Sequence, residues 1–210
     1  MSAARYIAIE GPLRVGKSSL ARALAERLRA RTLLDGEDNP HLESFYKNTP
    51  GAAFRAQMHF LMARYKQLLQ AGLDSSRTPV VADYLFEKDK LFAYLNLTDE
   101  EVSVYDGYYQ WFKEQLPTPD LVIYLKASPE VLRERITRKN VPAEAKISSS
   151  YIQETVRAYE HFFQHFKAAD VLVVDTTKVD FVQNPADLEE LLLELSRPVH
   201  GTQFYLPLGT

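Results

Sequence analysis

Eight consecutive residues concentrate the chemistry of this chain: Gly11-Pro12-Leu13-Arg14-Val15-Gly16-Lys17-Ser18, a GxxxxGKS segment between an apolar run and a helix-patterned one. Glycine lets the backbone turn tightly, and the start of the following helix adds unpaired N–H groups, so the segment forms a nest for nucleotide phosphates. Lys17 reaches the β and γ oxygens, and the Ser18 hydroxyl is a ligand for Mg2+. Gly11, Arg14, Val15, Gly16, Lys17, Ser18 and Ser19 are the residues expected to hold the nucleotide. The glycines do not follow GxGxxG, which speaks against a dinucleotide fold. Further along, Gln57 and Arg64 lie two turns apart in one helical pattern and project from nearly the same side. Asp83 ends an apolar strand pattern, a good position from which to hold Mg2+ through water.

These residues need a scaffold. Short apolar runs that end in polar or glycine residues and lead into helical patterns read as βα units. Tyr6 to Ile9, Thr32 to Leu34, Pro79 to Ala82, Leu121 to Leu125 and Val171 to Val174 predict an α/β fold with a five-stranded parallel sheet flanked by helices. The first helix is expected from Lys17 or Ser18 to about Arg31 and a second from about Ala52 to Leu69. Thr98 with Glu101 forms a capping-box pattern that opens a helix towards Lys113. Ser128 before Pro129 starts another, which Asn140, Val141 and Pro142 interrupt, and Ser148 or Ser149 caps the next through Phe166. A short helix is expected from Ala186 to Leu195, and the proline- and glycine-marked tail from about residue 198 carries no assignment.

Composition narrows the classes. The chain has 210 residues, 25 Lys+Arg against 28 Asp+Glu, and 46% hydrophobic residues, which suits one compact domain over residues 1–210 and not a polycation built for nucleic acid. It contains no cysteine, so disulfides, cysteine nucleophiles and thiolate metal sites are excluded. No run approaches the roughly 20 apolar residues of a membrane span. The expected compartment is the cytoplasm, with no membrane and no nucleic-acid partner.

Six blocks, taken in order, resemble the deoxynucleoside kinase family, most closely its bacterial deoxyguanosine and deoxyadenosine kinase branch: "YIAIEGPLRVGKSSL", "EDNPHLESFYKN", "AFRAQMHFLMARYKQLL", "VVADYLFEKDKLFA", "LVIYLKASPEVLRERITRK" and "ISSSYIQETVRAYEHFF". The resemblance covers roughly residues 5 to 182. It implies a P-loop kinase fold with a small basic lid at about 133–146, and transfer of the γ-phosphate of ATP, with Mg2+, to the 5′-hydroxyl of a deoxynucleoside by a homodimer. By the same resemblance Gln57 contacts the base edge, Arg64 and Asp89 complete the base pocket, and Tyr46 and Glu144 meet the sugar 3′-hydroxyl. An amide offers a donor beside an acceptor, as a purine edge does, so deoxyguanosine or deoxyadenosine is the expected substrate. Arg135 and Arg138, three apart on the lid helix, are expected on the transferring phosphoryl group.

The chain also departs from the family pattern. Arg14 stands where relatives often have glycine, which predicts a bulkier and more positive rim to the loop. Leu34 occupies the register of the family's general base; Asp35 is the expected replacement, with Glu37 as the alternative. Asp83-Tyr84-Leu85 keeps the acid of a block that reads acid-Arg-Ser in many relatives but lacks its arginine, and Val141 replaces another arginine in the lid. Two other readings remain at this stage: a nucleoside monophosphate kinase of the thymidylate kinase kind, and a nucleotide-binding regulatory protein without catalysis.

Overall fold

The computed structural model describes residues 4–36, 38–73, 78–142 and 144–207. Glu37 lies outside them. By contacts the chain divides into two compact units, Met1–Leu34 with Arg77–Tyr84 and Thr118–Thr210, and Asp35–Ser76 with Leu85–Pro117.

The first unit is built on a wholly parallel sheet of six strands, one more than expected. They are β1 (Tyr6–Glu10), β2 (Arg31–Leu33), β3 (Val80–Ala82), β4 (Leu121–Lys126), β5 (Asp170–Asp175) and β6 (Thr202–Tyr205), ordered β2-β3-β1-β4-β5-β6. A central parallel strand is covered on both faces, so it reads as a continuous apolar run, and β1 is buried along its whole length. Ile7, Ile9, Ile123, Leu125, Leu172 and Val174 share one core with Leu20 and Leu24 of α1 (Lys17–Leu28). Tyr124 belongs to another aromatic layer, stacked 4.0 Å from Phe163 and 6.1 Å from Tyr159.

The extra strand, β6, lies in the tail that had no assignment. Thr202, Gln203 and Phe204 are exposed, so the segment has no buried apolar run to announce it. Its order comes from the edge of β5, with Val171 in register with Thr202 and Val174 with Tyr205. The first helix ends earlier than expected because Arg29 turns left-handed at φ 52° and Arg31 already begins β2.

The second unit is helical: α2 (Leu42–Tyr46), α3 (Ala52–Ala71), α4 (Lys88–Asn96) and α5 (Asp99–Lys113). The helices α2 and α4 were not anticipated. The expected box opens α5, with the Thr98 hydroxyl accepting from the Glu101 N–H at 3.3 Å and the Glu101 carboxylate accepting from the Thr98 N–H at 3.0 Å. Tyr65 of α3 stacks on Phe112 of α5 at 4.2 Å. In the first unit the lid helix α6 (Pro129–Lys139) starts at Ser128 and stops where Asn140 turns left-handed. A 3-10 turn, Glu144–Lys146, precedes α7 (Ser149–His165), which Ser148 caps, and α8 (Pro185–Glu194) starts one residue early, from the Asn184 cap.

Gly11 is a tight backbone position. It has φ +152°, and a Cβ there would run into the Leu125 carbonyl oxygen, part of the rigid β4 backbone. Gly11→Ala should destabilise the protein by at least about 1–3 kcal/mol through this overlap, read as a lowered urea midpoint at unchanged slope.

Candidate active site

The phosphate loop begins where β1 ends. The Glu10 carboxylate is buried and accepts from the Gly11 N–H at 2.8 Å and from the Tyr159 hydroxyl at 2.9 Å, which fixes the first peptide of the loop against α7. Gly16, left-handed at φ 112°, opens α1. A side chain at this position would overlap the Phe181 ring, whose Cζ would lie 2.7 Å from its Cβ. Lys17 Nζ donates to the carbonyls of Gly11 at 2.7 Å and Pro12 at 3.1 Å, so the ammonium is folded over the loop. The Ser18 hydroxyl donates to Asp83 Oδ2 at 2.5 Å, bringing the two expected metal ligands together at the carboxyl ends of β1 and β3. Hard oxygen donors of this kind fit Mg2+, which keeps several waters and takes one or two protein oxygens. Val15 and Ser19 also fall within the loop and the first turn of α1.

Arg14 is left-handed at φ 63° and supplies the bulk expected at the rim, but the rim is not more positive. Its guanidinium forms a two-pronged pair with Glu144, Nε to Oε2 at 2.8 Å and Nη2 to Oε1 at 2.5 Å. The charge is therefore matched by the lid, and Glu144, expected at the sugar, is held here by the loop. Arg135 and Arg138 do meet on one segment, the loop after β5. Arg135 donates to the carbonyls of Thr176 and Val179, both at 2.9 Å, and Arg138 pairs with Asp180 at 2.7 Å. Burial lowers the proton affinity of the Arg135 guanidinium, and Asp180 partly offsets this. Both lid arginines thus brace a loop in this structure.

The second unit gathers the other expected residues. Arg64 grips Asp35 with Nε to Oδ1 at 2.9 Å and Nη2 to Oδ2 at 2.8 Å, and its Nη1 donates to Asp89. Phe60 covers the guanidinium at 4.7 Å. The Gln57 amide nitrogen donates to Asp89 at both its carbonyl, 3.0 Å, and its Oδ1, 2.5 Å, and the Tyr105 hydroxyl donates to the same Oδ1 at 2.8 Å. Gln57, Arg64 and Asp89 are brought together as expected. Tyr46 lies at the end of α2, 37% exposed, with its ring tilted against Phe45.

Lys88 was not anticipated. Its ammonium donates to Asp35 Oδ2 at 2.9 Å, and it and Asp89 are buried within the charged run Glu87-Lys88-Asp89-Lys90. The signal was available: Leu85-Phe86 before the run and Leu91-Phe92 after it are apolar, which suits a segment carried inward more than a solvated face. Tyr105 was not anticipated either. Burial pushes its phenol proton affinity up, as do the Asp89 charge and hydrogen bond, so it remains a donor.

Burial alone would raise the Asp35 pKa, but Lys88 and Arg64 together outweigh it and hold the carboxyl well below the usual carboxylate range. The stability this confers is fully present above about pH 4, where an unfolded-chain aspartate is ionised, and is lost only as pH falls towards the depressed folded value. Asp35→Asn should cost on the order of 3 kcal/mol at pH 7, because it leaves buried cations short of an anion. The deficit should narrow at pH 3; urea unfolding of both proteins at the two pH values checks this.

Against known proteins, a deoxynucleoside kinase family profile matches residues 7–200. Deoxyguanosine kinase of Bacillus subtilis (strain 168) is 36% identical over 198 residues, covering 91% of this chain and 96% of that protein. Deoxyadenosine/deoxycytidine kinase of the same organism is 29% identical over 206 residues, 94% of each. Among solved structures, deoxyadenosine kinase from M. mycoides with bound dATP matches with a TM-score of 0.76 and 25% identity, over 92% of this chain and all of that one. A phosphate loop continuous with β1 and α1, a parallel sheet and these relationships along nearly the whole length lead to one conclusion: the chain belongs to the deoxynucleoside kinase family.

Proposed function

We propose that this kinase transfers the γ-phosphate of ATP to the 5′-hydroxyl of a purine deoxynucleoside, deoxyguanosine or deoxyadenosine, and that both units serve this one activity. The observation that carries the substrate class is the buried group of Gln57, Arg64 and Asp89: an amide and a carboxylate side by side suit a base edge with mixed donors and acceptors. The names of the Bacillus subtilis deoxyguanosine kinase and the M. mycoides deoxyadenosine kinase support purines. An acceptor phosphate, as in a monophosphate kinase, would need an unmatched cation, and Arg64 is already paired with two carboxylates.

The chain's own groups divide the work. The loop amides and Lys17 hold the triphosphate, while Arg135 and Arg138 turn to the phosphoryl group once nucleotide occupies the loop. Mg2+, held by Ser18 and through water by Asp83, would neutralise charge on the β and γ oxygens. Tyr46 serves the sugar, and Glu144 joins it only when nucleotide in the loop draws Arg14 out of their ion pair. Asp35 receives the hydrogen bond of the 5′-hydroxyl; its low proton affinity suits a group that orients a nucleophile for a loose transition state, in which little proton removal is needed early. The outer face of α5 exposes Val104, Tyr108 and Trp111 at helical spacing, which supports a homodimer, and the lack of cysteine accords with a cytoplasmic enzyme.

Turnover of the four deoxynucleosides with ATP and Mg2+ tests the activity: purines should be phosphorylated well above pyrimidines, and no turnover of any would refute it. Gln57→Ala should lower kcat/KM for the purine by about 10- to 100-fold, equivalent to about 1–3 kcal/mol, and leave the KM for ATP unchanged. Sedimentation should show a species of twice the 24.0 kDa chain at micromolar concentration; a monomer alone would contradict the dimer.

A further inference from the structure

Lys88 lies in the first turn of α4 with its side chain only 6% exposed. A lysine taken out of water needs a fixed anion, and Asp35 provides one 2.9 Å away. Arg64 and Lys88 both donate to Oδ2 of Asp35, and Arg64 also donates to Oδ1. The carboxylate therefore cannot rotate about its Cβ–Cγ bond without breaking a charge-assisted hydrogen bond. Among the described residues, the charged and titratable groups around it come from three helices: Arg64 on α3, Lys88 and Asp89 on α4, and Tyr105 on α5, which donates to Asp89. Glu87, just before α4, is matched by Lys113 of α5. Among the described residues, the carboxylates of Asp35 and Asp89 face the cations of Arg64 and Lys88.

We propose that Lys88 is a positioning residue for phosphoryl transfer: its ammonium holds the Asp35 carboxylate in one orientation to receive the acceptor hydroxyl. Arg64 cannot do this alone, because Asp89 draws the same guanidinium from the other side. Lys88 serves Asp35 from a separate helix and fixes the carboxylate against that pull. This role rests on Asp35 being the group that receives the hydroxyl.

Lys88→Gln keeps an N–H donor and removes the charge. The proton affinity of Asp35 then rises, so the acid limb of kcat/KM for the deoxynucleoside should move to higher pH by about one pH unit or more. At neutral pH kcat should fall roughly 10- to 100-fold from lost orientation, with the KM for ATP unchanged, and Lys88→Arg should restore both. A structural role would lower the melting temperature and leave the acid limb where it was. Lys88→Met, which introduces no new polar group, is the second variant, and a 13C NMR titration of the Asp35 carboxylate reads the same shift without catalysis. An Asp35 midpoint unmoved in both variants overturns the proposal. Asp35→Asn separates the two readings: normal turnover would remove Asp35 from the reaction and Lys88 with it, whereas collapse of Asp35→Asn beside a Lys88→Gln enzyme of normal rate and acid limb would remove Lys88 alone.

Discussion

Arg64 is held between two carboxylates, and the second unit is organised around that arrangement. A guanidinium buried under Phe60 is stable only with its anions in place, so Asp35 at the start of the unit and Asp89 on α4 must both reach α3. The other polar groups follow from this. Asp89 is wholly buried and needs further donors, which Gln57 and Tyr105 supply; Asp35 takes Lys88 as a second cation. The result is a hydrogen-bonded cluster of paired charges that links α3, α4 and α5, with stacked Tyr65 and Phe112 adding apolar contact between α3 and α5. Such a cluster confers specificity more than raw stability, because each member tolerates only one geometry.

The same residues suit the unit to recognising a polar ligand. On the proposed assignment, a base edge entering this group would meet an amide and carboxylate whose orientations are already fixed, so little ordering cost would remain at binding. Gln57 gives its donor to Asp89 in this structure, and a base that accepted from it would exchange one satisfied hydrogen bond for another. On that assignment selectivity would come from the mismatch a wrong base leaves among buried groups, a larger penalty than the gain from any single correct contact.

In the first unit the constraint is the junction of β1 with the phosphate loop. Close packing of Gly11 on the Leu125 carbonyl, the Gly11 N–H on Glu10, and Tyr159 on the same carboxylate leave the loop a single path into α1. The loop also has a partner in the lid: Arg14 and Glu144, 130 residues apart, neutralise each other. A nucleotide arriving in the loop therefore meets Lys17 as the cation folded over it, with Arg14 already matched.

Much of this was legible in the residue order because it depends on neighbours in sequence. The phosphate loop, the capping box at Thr98, the serine caps at Ser128 and Ser148 and the central strands obey rules of backbone geometry and apolar periodicity that act over a few residues. The placing of Gln57 and Arg64 on one side of α3 could be anticipated for the same reason, since helical spacing alone puts them there. What the tertiary structure decided lies beyond that range. The strand β6 exists because β5 offers an unpaired edge, not because Thr202 to Tyr205 carry a strong pattern of their own. Arg14 gains Glu144, Lys88 gains Asp35, and Arg135 gains the loop after β5 only once the chain has folded. A charged side chain in a sequence shows its sign but not its partner. The partner is chosen by burial, where every charge must be matched by whatever opposite charge the packing brings within hydrogen-bond reach.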